Sequence, residues 1–178
     1  MVKPNTGGSS VGVHFITAPE ELSEVLEEIF QIDEEALIEE TISGTEISVP
    51  IIDGEVYPAI KIKPLLGEFF DYQSKYTQGG SRETIYEYPN EDLKAEIEAF
   101  TKMTYYALKC KGAARVDMMI RDAQAYVLEI NTLPGMTATS LLPKSLLSQG
   151  KNYAEVVELL INSSIKRLEI LVEASIEE

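Results

Sequence analysis

The stretch AARVDMMIRDAQAYVLEIN, residues 113–131, constrains the fold more than any other. Its two halves, Ala113–Ile120 and Tyr126–Asn131, alternate polar and apolar residues, as half-buried strands do. Antiparallel pairing around a tight loop centred on Ala123 sets Arg115 opposite Asn131 and Asp117 opposite Glu129. Alternate strand residues share a face, so all four polar groups fall on one side. The other side then carries Val116, Met118, Ile120, Tyr126, Leu128 and Ile130, all apolar. A slip of one residue would bury the charges, so the split itself supports this register.

Two carboxylates and an amide oxygen converging from facing strands suit a hard cation such as Mg²⁺. An arginine beside them suits phosphate, through its planar fork and permanent charge. The plainer reading is a surface ion pair, Arg115 with Asp117 or Glu129, and charge alone favours it. The next residues, NTLPGMTATSL (131–141), shift the balance. A hairpin that ends in a glycine- and hydroxyl-rich loop offers backbone N–H groups to an anion near the metal. The opening stretch VKPNTGGSSVGV, residues 2–13, is a second glycine-rich loop. By itself it reads either as a phosphate cradle or as a surface turn.

The remaining chain reads as a mixture of short strands and helices. Residues 2–4 end a strand, and Val11–Ile16 forms the next. Thr17-Ala18-Pro19-Glu20 has the form of a capping box with proline in the first turn, followed by Leu22, Val25, Leu26 and Ile29 at helical spacing. Ala36–Thr41 and Glu46–Ile52 are strands, Asp53-Gly54 is a hairpin turn, and Glu55–Ile62 returns from it. Lys63–Thr84 is polar, aromatic and without a period, as functional or disordered loops are. Asn90 caps a helix over Glu91–Lys109 that Gly112 stops. A loop covers Thr132–Pro143, and an acidic amphipathic helix begins at Tyr153.

With 178 residues, 44% of them hydrophobic, this is enough for one compact domain or two small lobes sharing a core. The net charge of −15 repels nucleic acid and anionic lipid at long range, so neither is an expected partner. An anionic substrate needs a local cationic pocket, for which Lys3, Lys61, Lys63, Lys75, Arg82 and Arg115 are the candidates. No apolar run approaches the roughly 20 residues that span a bilayer, and no leader precedes the opening loop, so neither a membrane span nor a signal peptide is expected. Cys110 is the single cysteine, expected as a buried, inert thiol in a reducing cytoplasm. His14, the single histidine, reads as structural.

VKPNTGGSSVGV, LIEETISGTEISVPI, FFDYQSKYT, AARVDMMI and LEINTLPGMTATSLLP follow one another in that order. Together they resemble the D-alanine–D-alanine ligases of the ATP-grasp superfamily over nearly the whole chain. The resemblance implies an α+β ATP-grasp fold, with two α+β lobes clamping a nucleotide and mostly antiparallel sheets. It places the remainder of the small, nucleotide-binding lobe in residues 1–42. The large C-terminal lobe, holding metal and second substrate, is placed in residues 43–178. The family's N-terminal domain, which binds the first D-alanine, and a further ATP-binding lysine lie ahead of the part this chain covers. The chain therefore reads as an N-terminally truncated ligase with little activity alone.

The implied reaction joins two D-alanines through a D-alanyl phosphate, for peptidoglycan precursor synthesis in the cytoplasm. The implied cofactors are ATP and two Mg²⁺ ions, with Mn²⁺ as a substitute, and full-length members are homodimeric. Asp117, Glu129 and Asn131 match the metal ligands, and Arg115 the arginine that stabilises the transferred phosphoryl group and the oxyanion. Lys3 and Lys75 match the lysines on the ATP phosphates. Glu46 matches the ribose ligand, while Glu39 and the backbone of Glu40 to Ile42 match the adenine lining. Gly135, Ser140 and Leu141 match the loop that grips the second D-alanine's carboxylate, with Gly135 also at the oxyanion hole. Ser9 matches the serine that bonds the mobile-loop tyrosine, here Tyr76, and that tyrosine goes with dipeptide rather than ester formation. Phe70 and Thr41 depart from residues some members carry. The alternatives are a non-catalytic ATP/Mg²⁺-binding module, or another ATP-grasp carboxylate–amine ligase.

Overall fold

The computed structural model describes residues 1–8, 10–65 and 81–176. The chain divides into two compact units, Met1–Ser43 with Lys63–Arg82 and Gly44–Ile62 with Glu83–Glu178.

In the first unit, β1 (Val2–Pro4) pairs antiparallel with β2 (Ala36–Ile38), setting Lys3 opposite Leu37. The expected strand over Val11–Ile16 is not formed. Only His14 meets β1, through two backbone hydrogen bonds with Val2 of 2.8 Å each. Ser10 (φ 60°) and Gly12 (φ 72°) bend the chain just before it, which extended backbone cannot tolerate. Glycine is required at position 12, because a Cβ there would also sit 2.9 Å from Pro4 Cγ. A 3₁₀ turn, Pro19–Glu21, leads into α1 (Leu22–Ile29), whose apolar stripe ends in the fully buried Ile29. The capping carboxylate belongs to Glu21, not Glu20: it accepts Thr17 N–H at 2.9 Å. The tight turn opened by Pro19 moves the reaching side chain on by one residue.

A six-stranded sheet, whose β3, β4, β7 and β8 lie wholly in the second unit, is built from β3 (Thr45–Ile52), β4 (Glu55–Val56), β5 (Ile60–Pro64), β6 (Ser81–Ile85), β7 (Ala113–Arg121) and β8 (Gln124–Asn131). Its order is β6-β5-β3-β7-β8, with β4 also on β3. β3 runs antiparallel to β4, β5 and β7, and β7 to β8. The Asp53-Gly54 turn forms, with φ of 49° and 88° as a type I′ turn requires. The expected single return strand is split into β4 and β5, because Pro58 interrupts it and has no N–H to donate. Tyr57 N–H still reaches Pro50 O at 2.9 Å across the break. Lys63–Thr84, expected as one loop, has strand at both ends, in β5 and β6. Its middle, 66–80, lies outside the described residues.

The β7–β8 hairpin refines the expected register. Arg115↔Asn131 and Asp117↔Glu129 pair as expected, but the register shifts by one residue between Asp117 and Met118. The turn is a two-residue Asp122-Ala123 corner with both φ positive, at 52° and 60°. A corner of even length cannot match a pairing centred on one residue, so a bulge absorbs the difference. As a result Tyr126 opposes Met119 rather than joining the apolar face, where Ala125 replaces it.

α2 (Glu91–Ala107) is capped by Asn90 Oδ1, which accepts Leu93 N–H at 2.8 Å. It ends two residues before the expected Lys109, which turns left-handed at φ 53°. α3 (Leu141–Leu147) occupies the end of the expected Thr132–Pro143 loop, with Pro143 in its first turn. α4 (Tyr153–Ile176) starts where expected, behind a reciprocal cap: Asn152 Oδ1 accepts Glu155 N–H at 3.1 Å and Glu155 accepts Asn152 N–H at 2.7 Å. Ile47, Val49, Val116, Met118, Ile120 and Ala125 pack from the sheet onto Leu93 and Ile97 of α2. Burying such a side chain contributes roughly 1.5–3 kcal/mol. Ile52 and Tyr57 pack onto Leu142 and Leu146 of α3 and Val156 of α4. Among the described residues no helix is long and apolar enough to cross a membrane. Cys110 is half-exposed, not buried as expected: it packs only at the edge of the Ile51, Tyr105 and Ala114 cluster.

Candidate functional site

One face of the second unit's sheet is packed against α2, and the opposite face carries the charge. Register places Glu46 beside Met119, Ser48 beside Asp117 and Pro50 beside Arg115. It places Glu129 beside Asp117 and Asn131 beside Arg115. Directly opposed residues share a face. Glu46, Ser48, Arg115, Asp117, Glu129 and Asn131 therefore stand together on three adjacent strands. Lys61, expected among the pocket cations, opposes Ile47 and so belongs to the other face.

Arg115 and Asp117 form a two-pronged ion pair, Nε to Oδ1 at 2.9 Å and Nη2 to Oδ2 at 2.8 Å. This is the ion pair that charge alone favours, and it occupies the same atoms that a phosphate and a cation would use. Burial by itself would lower the Arg115 pKa, but the bond to Asp117 and the charges of Asp117, Glu129 and Glu46 more than offset this and raise it. One guanidinium thus faces three carboxylates, and the face carries net negative charge that a divalent cation would neutralise. Among the described residues no three His, Cys, Asp or Glu side chains lie close enough to hold a metal by themselves. The set that fits is two carboxylates and the Asn131 amide, with ligand oxygens completing the shell, as Mg²⁺ prefers. Asn131 Oδ1 here accepts Leu133 N–H at 3.0 Å.

Ser48 was not among the sequence candidates. Its Oγ lies 2.6 Å from Asp117 Oδ1, and it is fully buried. The signal was present: Glu46 and Ser48 stand at alternate positions of a strand whose residues from Ile47 on are otherwise apolar, and so mark one polar face.

The residues after β8 form a knot of hydroxyls. Ser140 Oγ accepts Thr137 N–H at 3.1 Å and lies 2.8 Å from Thr137 Oγ1. A Cβ on Gly135 would stand 2.8 Å from the same Ser140 Oγ. Ser140 is also the N-cap of α3, with Leu141 buried behind it. Gly135, Ser140 and Leu141 are therefore brought together, and Tyr153 Oη ties the loop to α4 through Met136 O.

In the first unit, Lys3 Nζ lies 2.7 Å from Glu39 Oε2, so two of the expected nucleotide residues meet. Glu40 is exposed and Ile42 half-buried, in the segment after β2. The glycine loop is anchored ahead of Gly7 by Asp33, which accepts Thr6 Oγ1 at 2.6 Å and Thr6 N–H at 2.5 Å. His14 stands 3.5 Å from Glu28, which fits a structural role. Ser9, Lys75 and Tyr76 lie outside the described residues, and so does Phe70.

The fold is α+β, of the ATP-grasp kind. The model of the D-ala D-ala ligase C-terminus family matches residues 1–162, and the chain belongs to that family. A D-alanine--D-alanine ligase of Clostridium perfringens is 47% identical over 166 residues, covering 93% of this chain and 54% of that protein. One of Bacillus anthracis is 45% identical over the same shares. The crystal structure of a Bacillus anthracis D-alanine--D-alanine ligase complexed with ATP matches with a TM-score of 0.79 at 39% identity, over 93% of this chain and 52% of that one. The chain thus spans about half the length of the curated relatives it matches.

Proposed function

We propose that this chain is the nucleotide- and metal-binding half of an ATP-dependent ligase that joins two D-alanines in the cytoplasm, for peptidoglycan precursors. The single observation that supports it most is the charged face, with Arg115 and Asp117 flanked by Glu46, Glu129 and Asn131 on three adjoining strands. In this reading the carboxylate of one D-alanine attacks the γ-phosphate of ATP, ADP leaves, and the amine of a second D-alanine displaces phosphate from the acyl phosphate. Little acid–base chemistry is needed; positioning and charge neutralisation dominate.

Arg115 would turn its fork to the transferred phosphoryl group and the oxyanion. Lys3 and Lys75 would hold the phosphates, Glu46 the ribose hydroxyls, and Glu39 with the backbone of Glu40 to Ile42 the adenine. Gly135, Ser140 and Leu141 would hold the second D-alanine's carboxylate, and Ser9 would bond Tyr76. Asp117, Glu129 and Asn131 would hold two Mg²⁺ ions, which when bound neutralise phosphate charge and align the phosphates. Full-length relatives would act as homodimers.

ATP titration with and without Mg²⁺ tests the reading. Binding that needs the metal is expected, and metal-independent binding would favour a non-catalytic module. Assayed alone with D-alanine, these 178 residues should release little or no ADP, since they span about half the length of the relatives they match. Turnover close to that of a full-length relative would overturn that expectation.

A further inference from the structure

We propose that Ser48 is a positioning residue that fixes which oxygen of Asp117 is turned to a divalent cation; this rests on the reading of Asp117 as a metal ligand. Ser48 Oγ is 2.6 Å from Asp117 Oδ1, and the two residues are 0% and 7% exposed. An ionised carboxylate only accepts, so the serine hydroxyl is the donor. The bond is short and charge-assisted. Its geometry is set by backbone: β3 and β7 pair without a break from Thr45↔Ile120 to Ile52↔Ala113, and Ser48 and Asp117 are direct partners in that ladder.

The second donor to Asp117 is of a different kind. Arg115 reaches both oxygens, Oδ1 through Nε and Oδ2 through Nη2. Its long side chain can swing, and N–H groups spent on Asp117 are not available to a phosphate. When the guanidinium turns away, Oδ2 loses its donor and Oδ1 keeps Ser48. Oδ2 is then the oxygen presented to the metal, with the carboxylate held in one orientation. Without the hydroxyl the carboxylate torsion is broad and nearly two-fold, and both oxygens are equivalent.

The test is Mn²⁺ binding to the whole chain with ATP present, read from the electron paramagnetic resonance of free Mn²⁺ against the same titration of ATP without protein, because ATP itself chelates Mn²⁺. Relative to the unaltered chain, Ser48→Ala should weaken Mn²⁺ by about 10–100-fold, the usual effect of losing an outer hydrogen-bond partner of a ligand. Ser48→Thr keeps the hydroxyl and should restore affinity, and the circular dichroism spectrum should not change in either variant. If Ser48→Ala does not fold, Ser48→Cys, a poor donor of similar shape, carries the same comparison. Mn²⁺ affinity within twofold of the unaltered chain in the hydroxyl-less variant overturns the proposal. So does equal weakening by Ser48→Thr, which would mark a packing role. An unaltered chain that binds no Mn²⁺ with ATP overturns the metal-ligand reading itself.

Discussion

Lys3–Glu39 and Arg115–Asp117 are both cation–carboxylate pairs among the expected site residues, and they are built differently. Lys3 makes one contact of 2.7 Å, with the side chains of the pair 20% and 37% exposed. Arg115 makes two, with the pair only 16% and 10% exposed, and Ser48 adds a third bond from a neighbouring strand. The first pair hangs on a two-strand ladder of three residues each. The second stands on eight consecutive pairs between β3 and β7. Register and the Ser48 bond fix Asp117 in the sheet whether or not Arg115 stays on it, whereas the first pair can open at little cost.

Removing one partner from each pair should show this difference most strongly. Asp117→Ala leaves a buried guanidinium and the Ser48 hydroxyl without their acceptor, a loss of about 3–5 kcal/mol. Lys3→Gln should cost at most about 1 kcal/mol, as exposed pairs do. Urea unfolding followed by circular dichroism measures both. Equal losses would mean that the sheet pair is no costlier to break than the surface one.

The glycines offer a second contrast, of smaller size. A Cβ on Gly44, which leads into β3, would stand 2.1 Å from the backbone oxygen of Ile120. The strand pairing fixes that oxygen, so Gly44→Ala should cost about 2 kcal/mol of overpacking. A Cβ on Gly8, in the opening loop, meets nothing within 4 Å. Gly8→Ala should therefore leave the melting temperature unchanged while weakening ATP binding, because only a phosphate close to the backbone would need that space. Unchanged ATP affinity would return the opening loop to a plain surface turn.

What could be read in advance follows the same division. The register of Arg115, Asp117, Glu129 and Asn131 was legible because a strand's period of two leaves one face for charge and one for the core. Beyond Asp117 the reading failed, since a bulge leaves no mark in the alternation and Tyr126 suits either face. Val11–Ile16 read as a strand from composition, but Ser10 and Gly12 turn the chain and leave only His14 in a bridge. α3 was missed although Ser140, Pro143 and the spaced leucines were in view, because Gly135 and the threonines marked the segment as loop. Ser48 was overlooked because a serine between Ile47 and Val49 looks like a strand filler until its partner across the ladder is known.

The smallest expected effect lies in the first unit and appears only in acid. Asp33 is held at about 2, below its ordinary 3.8, chiefly by the Thr6 hydroxyl, then by Thr6 N–H, with Glu35 N–H adding to it. A folded-state pKa below the unfolded one means that the contribution is fully present above pH 3.8 and is lost as pH falls through about 2. The anchor of the glycine loop should therefore hold at neutral pH and release between those limits. Carbon-13 titration of the Asp33 carboxyl should give a midpoint near 2, and Thr6→Val, which removes the hydroxyl and keeps the N–H, should move it part of the way back toward 3.8. Nucleotide affinity measured down this range then reports whether that anchor matters for binding. A loss that tracks the Asp33 titration, and is shifted by Thr6→Val, would assign the acid-sensitive part of binding to the opening loop. A loss unmoved by Thr6→Val would show that the anchor of the opening loop does not set it.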